Sequence, residues 1–81
     1  MNNSEILAKL NSIFKEVLDN QSIQLAESTT ANDIEEWDSL SNIELIVAIE
    51  KEFRVRFNAS EIEHWQNVGD MCRAISGKAV N

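Results

Sequence analysis

Apolar residues recur along the chain at helical spacing, and no stretch alternates long enough to make a strand. Ile6, Leu7, Leu10, Ile13, Phe14, Val17 and Leu18 collect on one face at about 100° per residue, with Lys9, Ser12 and Glu16 opposite. The spacing predicts an amphipathic helix from Ser4 to Asp19 with a single buried side. Residues 20–37 are rich in Ser, Thr, Asn and Gln and have no helical period. Structureless connections longer than roughly 12–15 residues are uncommon in compact domains. This stretch therefore either contains a short helical turn or is an ordered loop pinned by Ile23, Leu25, Ile34 and Trp37. A second helix is expected from Asp38 or Ser39 to near Arg54. Ser60-Glu61-Ile62-Glu63 fits a capping box that opens a short third helix. A fourth is expected from about Val68 to Ser76, with Asn67 as cap, Asp70 three residues on and Gly77 as stop. Its inward stripe is Val68, Met71, Cys72 and Ile75. With no proline and two glycines, the fold class is all-α.

The second helix has apolar residues on two sides. With Leu45 at zero on a helical wheel, Leu45, Ile46, Ile49 and Phe53 fall between about 0° and 100°, an ordinary core stripe. Leu40, Ile43 and Val47 fall at roughly 160–220°. One small core does not easily cover both stripes. Either the long loop or the third helix covers the second one, or it is a part-exposed ridge that docks on partners. Glu44 and Lys51 flank this ridge, and Glu50 lies at its other edge.

Composition narrows the partners. The 81 residues suffice for one domain, expected over 1–81, with one small core and no room for a deep pocket plus a catalytic scaffold. A hydrophobic content of 43% predicts a folded globule. Fourteen acidic residues against seven basic ones give a net charge of −7. That charge argues against nucleic acid and anionic membranes and favours basic protein partners. Between Asp33 and Glu52 the acids are Asp33, Glu35, Glu36, Asp38, Glu44, Glu50 and Glu52, against Lys51 alone. An apolar ridge edged by carboxylates suits brief docking on a basic surface with an apolar centre. The lone Cys72 allows no internal disulfide, and with His64 the only histidine no structural zinc site is expected. Cys72, on the inward stripe, reads as a small core residue. No apolar run is long enough to span a bilayer, and no secretory leader pattern opens the chain, so the expected compartment is the cytoplasm.

The start of the second helix holds the chemistry. A helix N-terminus has free N–H groups and a partial positive charge, so a phosphate on Ser39 would meet a favourable field. The alternative is that Ser39 or Asp38 is only an N-cap. Residue physics alone leaves both open.

The string Asp38-Ser39-Leu40, followed by Ile43-Glu44-Leu45, then Ile49-Glu50 and Phe53, resembles the acyl carrier protein family. The likeness takes in the amphipathic first helix, the long loop, the short third helix and a fourth helix around Val68 to Ile75. It implies a four-helix bundle of acyl-carrier type with a long first loop and a short third helix, carrying 4′-phosphopantetheine on Ser39. In this resemblance Asp38 matches the acidic residue that helps the transferase place its metal and substrate. Leu40, Ile43, Glu44, Val47 and Glu50 match the partner-docking helix. The implied molecule is a non-catalytic carrier, a monomer, that holds acyl groups as thioesters for fatty acid, polyketide or related biosynthesis. Its implied partners are a phosphopantetheinyl transferase and acyl ligase, ketosynthase or acyltransferase enzymes with basic docking surfaces. Trp37 stands where housekeeping fatty-acid carriers have a small residue, and Lys51, Arg54 and Arg56 are basic where those carriers are mostly acidic. These departures point to a stand-alone carrier of a specialised pathway. Peptidyl carriers tend to show Gly-Gly before the serine, absent here, and D-alanyl carriers fit less well.

Three rival readings have less support. Asp38-Ser39-Leu40 superficially resembles the Gly-Asp-Ser-Leu esterases, with His64 to complete a triad, but the glycine, the strand context and a glycine-rich oxyanion loop are missing. His64 is expected on the surface of the third helix. Asp33, Glu35, Glu36 and Asp38 cluster as a calcium loop would, but without its glycine and ligand spacing. An unmodified helical adaptor would use the ridge and leave Ser39 bare.

Overall fold

The computed structural model describes residues 2–78. Among them four α-helices and one 3₁₀ turn follow in order, with no strand: α1 (Asn3–Val17), the 3₁₀ turn (Ala31–Asp33), α2 (Ser39–Phe53), α3 (Ala59–Glu63) and α4 (Val68–Lys78). The expected all-α class and short third helix are both present.

α1 begins one residue earlier than its apolar pattern, because Asn2 caps it: Asn2 Oδ1 accepts from Glu5 N at 2.9 Å and Glu5 Oε1 from Asn2 N at 3.3 Å. It ends at Val17, two residues before the expected Asp19. Asp19 instead adopts the left-handed conformation, φ 52°. Its N–H bonds Glu16 O and that of Asn20 bonds Lys15 O, which satisfies two end carbonyls in a Schellman closure. Ile6, Leu10, Phe14 and Leu18 are buried, and α1 packs on both α2 and α4.

The long connection, residues 18–38, is an ordered loop that also contains a helical turn. Ile23 and Leu25 are buried, and Ile34 and Trp37 half-buried, so all four expected pins touch the core. Polar ties fix the path between them. Leu25 N donates to Asn11 Oδ1 on α1 at 2.7 Å. Val68 N and Gly69 N, among the free donors at the start of α4, bond Thr29 O at 2.9 Å and Glu27 O at 2.8 Å. The loop thus caps α4 with its own carbonyls. A Cβ on Gly69 would meet Glu27 O at 3.1 Å, which is why a glycine fits there.

α2 runs as expected, from its cap at Asp38 to Arg54, which ends it in the left-handed region at φ 56°. Two features near the other helices differ from the sequence reading. The capping box of α3 pairs Asn58 with Glu61, not Ser60 with Glu63, so α3 opens at Ala59. Glu61 in that register also reaches Lys78 Nζ at 3.0 Å, tying α3 to the end of α4. Gly77 does not stop α4, which continues to Lys78; Lys78 Nζ also lies 5.5 Å over the Phe57 ring. The start at Val68 stands, with Asn67 Oδ1 accepting from Asp70 N at 2.9 Å, and Val68, Met71, Cys72 and Ile75 are all buried.

Candidate functional site

Two residues divide the work at the start of α2. Asp38 is extended and turns its side chain onto the helix: Oδ1 accepts from Leu40 N at 3.0 Å and from Ser41 N at 2.8 Å. Ser41 completes the box, its Oγ accepting from Asp38 N at 2.9 Å and donating to Glu36 O at 2.8 Å. The bonds to its Oδ1, that from the Ser41 backbone N–H foremost, hold the Asp38 carboxyl below the usual carboxylate range, so it is anionic at neutral pH. The capping falls to Asp38 and Ser41, and Ser39 stands outside it, exposed as the first residue of the helix.

Ser39 opens on a cavity of about 270 Å³, lined among others by Trp37, Asn42, Ile62, Trp65 and Met71. Trp37 leans edge-on against the buried Phe14 ring, centroids 4.9 Å apart, and its Nε1 donates to Asn42 Oδ1 at 2.9 Å. Trp65 is held edge-on against Phe57. A second, apolar cavity of about 300 Å³ lies between α2 and α3, lined by Ile43, Ile46, Val47 and Ala59 among others. Asn42 and Ile62 belong to both walls.

The second stripe of α2 is open, as one of the two sequence readings had it. Leu40 is 73% exposed, Ile43 62% and Val47 51%, whereas Leu45, Ile46, Ile49 and Phe53 are buried. Glu44 is exposed beside the ridge. Glu50, half-buried, accepts from Phe57 N at 2.9 Å through Oε2 and clasps the α2–α3 turn.

Of the rival readings' residues, only Asp38 borders the Ser39 cavity; His64, Asp33, Glu35 and Glu36 do not line it. His64 is exposed at the end of α3, its Nδ1 2.6 Å from Ser60 O. Cys72 is buried, and burial pushes its thiol pKa up, so it is a core residue and a poor nucleophile. Asp33 and Glu36 are engaged locally, Asp33 with Thr30 N and Glu36 with Asn20 Nδ2, each at 2.9 Å. No metal-binding group of three His, Cys, Asp or Glu side chains occurs among the described residues. No described helix is long and apolar enough to cross a membrane. The sequence reading missed Asn42 and Trp65 as walls of the Ser39 cavity. The signal for Asn42 was its position one helical turn after Ser39.

The chain's own atoms suit a phosphate-linked arm at this place. The Ser39 hydroxyl is exposed and outside the capping box, it borders an open cavity, and the dipole of α2 favours negative charge there. Comparison with known proteins gives the family. Residues 8–75 match the family described as "Phosphopantetheine attachment site". An acyl carrier protein of Caulobacter vibrioides is 36% identical over 75 residues, 93% of this chain and 96% of that one. An acyl carrier protein of Thermosynechococcus vestitus is 38% identical over 80 residues, 96% of each chain. The solution structure of a holo acyl carrier protein from Geobacter metallireducens superposes with a TM-score of 0.84 at 42% identity, over 89% of this chain and 83% of that one. Nearly whole-length likeness in both sequence and helix arrangement settles the family: this chain belongs to the acyl carrier proteins, which carry acyl groups on phosphopantetheine for other enzymes and catalyse nothing themselves.

Proposed function

We propose that Ser39 Oγ is the attachment point of 4′-phosphopantetheine and that α2 is the handle by which enzymes take hold of the carrier. The observation that carries this reading is the division of labour at the helix start. Asp38 and Ser41 satisfy the backbone donors, so the exposed Ser39 hydroxyl is available to a transferase. In the transfer the Ser39 oxygen bonds to the phosphorus that bears the pantetheine in coenzyme A. The pyrophosphate bond breaks, adenosine bisphosphate leaves, and the serine proton is lost. Asp38, anionic and adjacent, is the residue that helps the transferase place its metal and substrate. The arm, once attached, supplies the thiol to which acyl groups bind as thioesters.

Leu40, Ile43 and Val47 form the apolar centre of the docking surface, with Glu44 and Glu50 adding charge at its edges for basic partner surfaces. The partners are a phosphopantetheinyl transferase and acyl ligase, ketosynthase or acyltransferase enzymes, met by a monomeric carrier domain in the cytoplasm. Trp37, Lys51, Arg54 and Arg56 support service in a specialised pathway. Co-expression with a broad-specificity transferase, comparing wild type with Ser39→Ala, tests the attachment: wild type is labelled and loaded with an acyl group, and the variant folds but is not. Labelling of Ser39→Ala overturns the assignment.

A further inference from the structure

An indole N–H is only ever a donor, so the group Asn42 presents to Trp37 Nε1, 2.9 Å away, has to be its oxygen. That bond fixes which way the amide faces. Trp37 is itself held by its edge contact with the buried Phe14. With Oδ1 committed, Asn42 retains Nδ2, which has two N–H donors and no acceptor capacity. Asn42 is one helical turn after Ser39, on the same side of α2. It shares the wall of the Ser39 cavity and, with Ile62, forms the sill to the apolar cavity between α2 and α3. An arm leaving Ser39 through this cavity therefore passes an oriented amide donor, and the arm is a chain of amides whose carbonyl oxygens are acceptors.

We infer that Asn42 is a positioning residue for the tethered arm: Trp37 locks its amide, and Nδ2 donates to a carbonyl oxygen of the arm or of the thioester it bears, resting the chain in the cavity between α2 and the α3–α4 turn. The inference rests on Ser39 as the attachment point. It makes Trp37, one of the departures from the housekeeping pattern, part of how the cargo is presented.

The test is ¹⁵N NMR on the apo, holo and acetyl-loaded protein, wild type and Asn42→Asp, with the mass of each sample measured first. Aspartate keeps an acceptor for Trp37 Nε1 and removes the donor. In wild type the Asn42 side-chain NH₂ resonances and the backbone amides of Ile62 and Trp65 shift between apo and holo. If they shift only on acetyl loading, the thioester carbonyl is the acceptor and the inference still stands. In Asn42→Asp the Trp37 indole proton keeps its hydrogen-bonded position, while the Ile62 and Trp65 shifts collapse. Shifts that persist in Asn42→Asp, or an NH₂ group that moves in neither loaded form, overturn the inference while leaving Ser39 intact. A chain that gains no arm mass overturns the Ser39 reading, and this inference with it.

Discussion

At the scale of single residues, two neighbours with similar chemistry do different jobs. Aspartate and serine are both good N-caps, so from sequence either Asp38 or Ser39 qualified. The distinction lies in backbone conformation: Asp38 is extended and bends back onto the Leu40 and Ser41 N–H groups, while Ser39 is already helical. This assigns a pH dependence to Asp38. Its carboxyl titrates lower in the folded chain than in the unfolded one, chiefly because it accepts from Ser41 N. Its stabilisation is therefore complete above the ordinary carboxylate range and is lost as pH falls through the lower, folded value. Asp38→Ala should lower Tm at neutral pH, and the gap to wild type should narrow on acidification through that window. Melting curves of both proteins from neutral pH downward check this; a gap that stays constant into acid contradicts it. Cys72 needed no such choice, since its place on the inward stripe of α4 already marked it as core, and it is fully buried.

At the scale of elements, the two-sided pattern of α2 was the most informative feature of the sequence, and both sides are where helical geometry put them. One side is core and the other is open. Consequently the two stripes should respond differently to substitution. Ile43→Ser on the open stripe should change folding stability by no more than about 0.5 kcal/mol, yet weaken docking to a cognate enzyme. Phe14→Ala, which empties a fully buried ring site on α1, should cost about 3–5 kcal/mol. Denaturant unfolding compares the two directly. Glu44→Lys should slow transfer with a partner enzyme mainly through a lower on-rate, and raised salt should mimic it. Stopped-flow association that is indifferent to both salt and Glu44→Lys would remove the acidic edge from the docking surface. Helix ends were less legible than helix faces. The α3 cap expected at Ser60 with Glu63 is instead Asn58 with Glu61, which also lets Glu61 meet Lys78, a contact no local pattern contains. The ends at Asp19 and Arg54 use a left-handed conformation on residues other than glycine, so no glycine marks them.

At the scale of the whole molecule, fourteen acids face seven bases. Lys9, Lys78 and Arg73 pair with Glu52, Glu61 and Asp70 at the surface, where such pairs contribute little. The excess charge repels itself around a small core. Tm should therefore rise with added sodium chloride, and more steeply with magnesium chloride; a Tm unmoved by either contradicts this. The long connection shows the limit of reading at this scale. Its apolar pins were visible as isolated hydrophobic residues in a polar stretch. Its polar ties were not: Asn11 Oδ1 holds Leu25 N fourteen residues away, and Glu27 and Thr29 meet the start of α4 through backbone atoms that every residue has. The same holds for the Ser39 cavity, whose walls come from Trp37 and Asn42 on one side and Ile62, Trp65 and Met71 on the other. Whether that serine is the anchor is decided most directly by mass spectrometry of the protein after incubation with coenzyme A and a broad-specificity transferase. The expected result is the mass of a single phosphopantetheine on the intact chain, mapped by fragmentation to Ser39. An unchanged mass, or an added mass on any other residue, would contradict it.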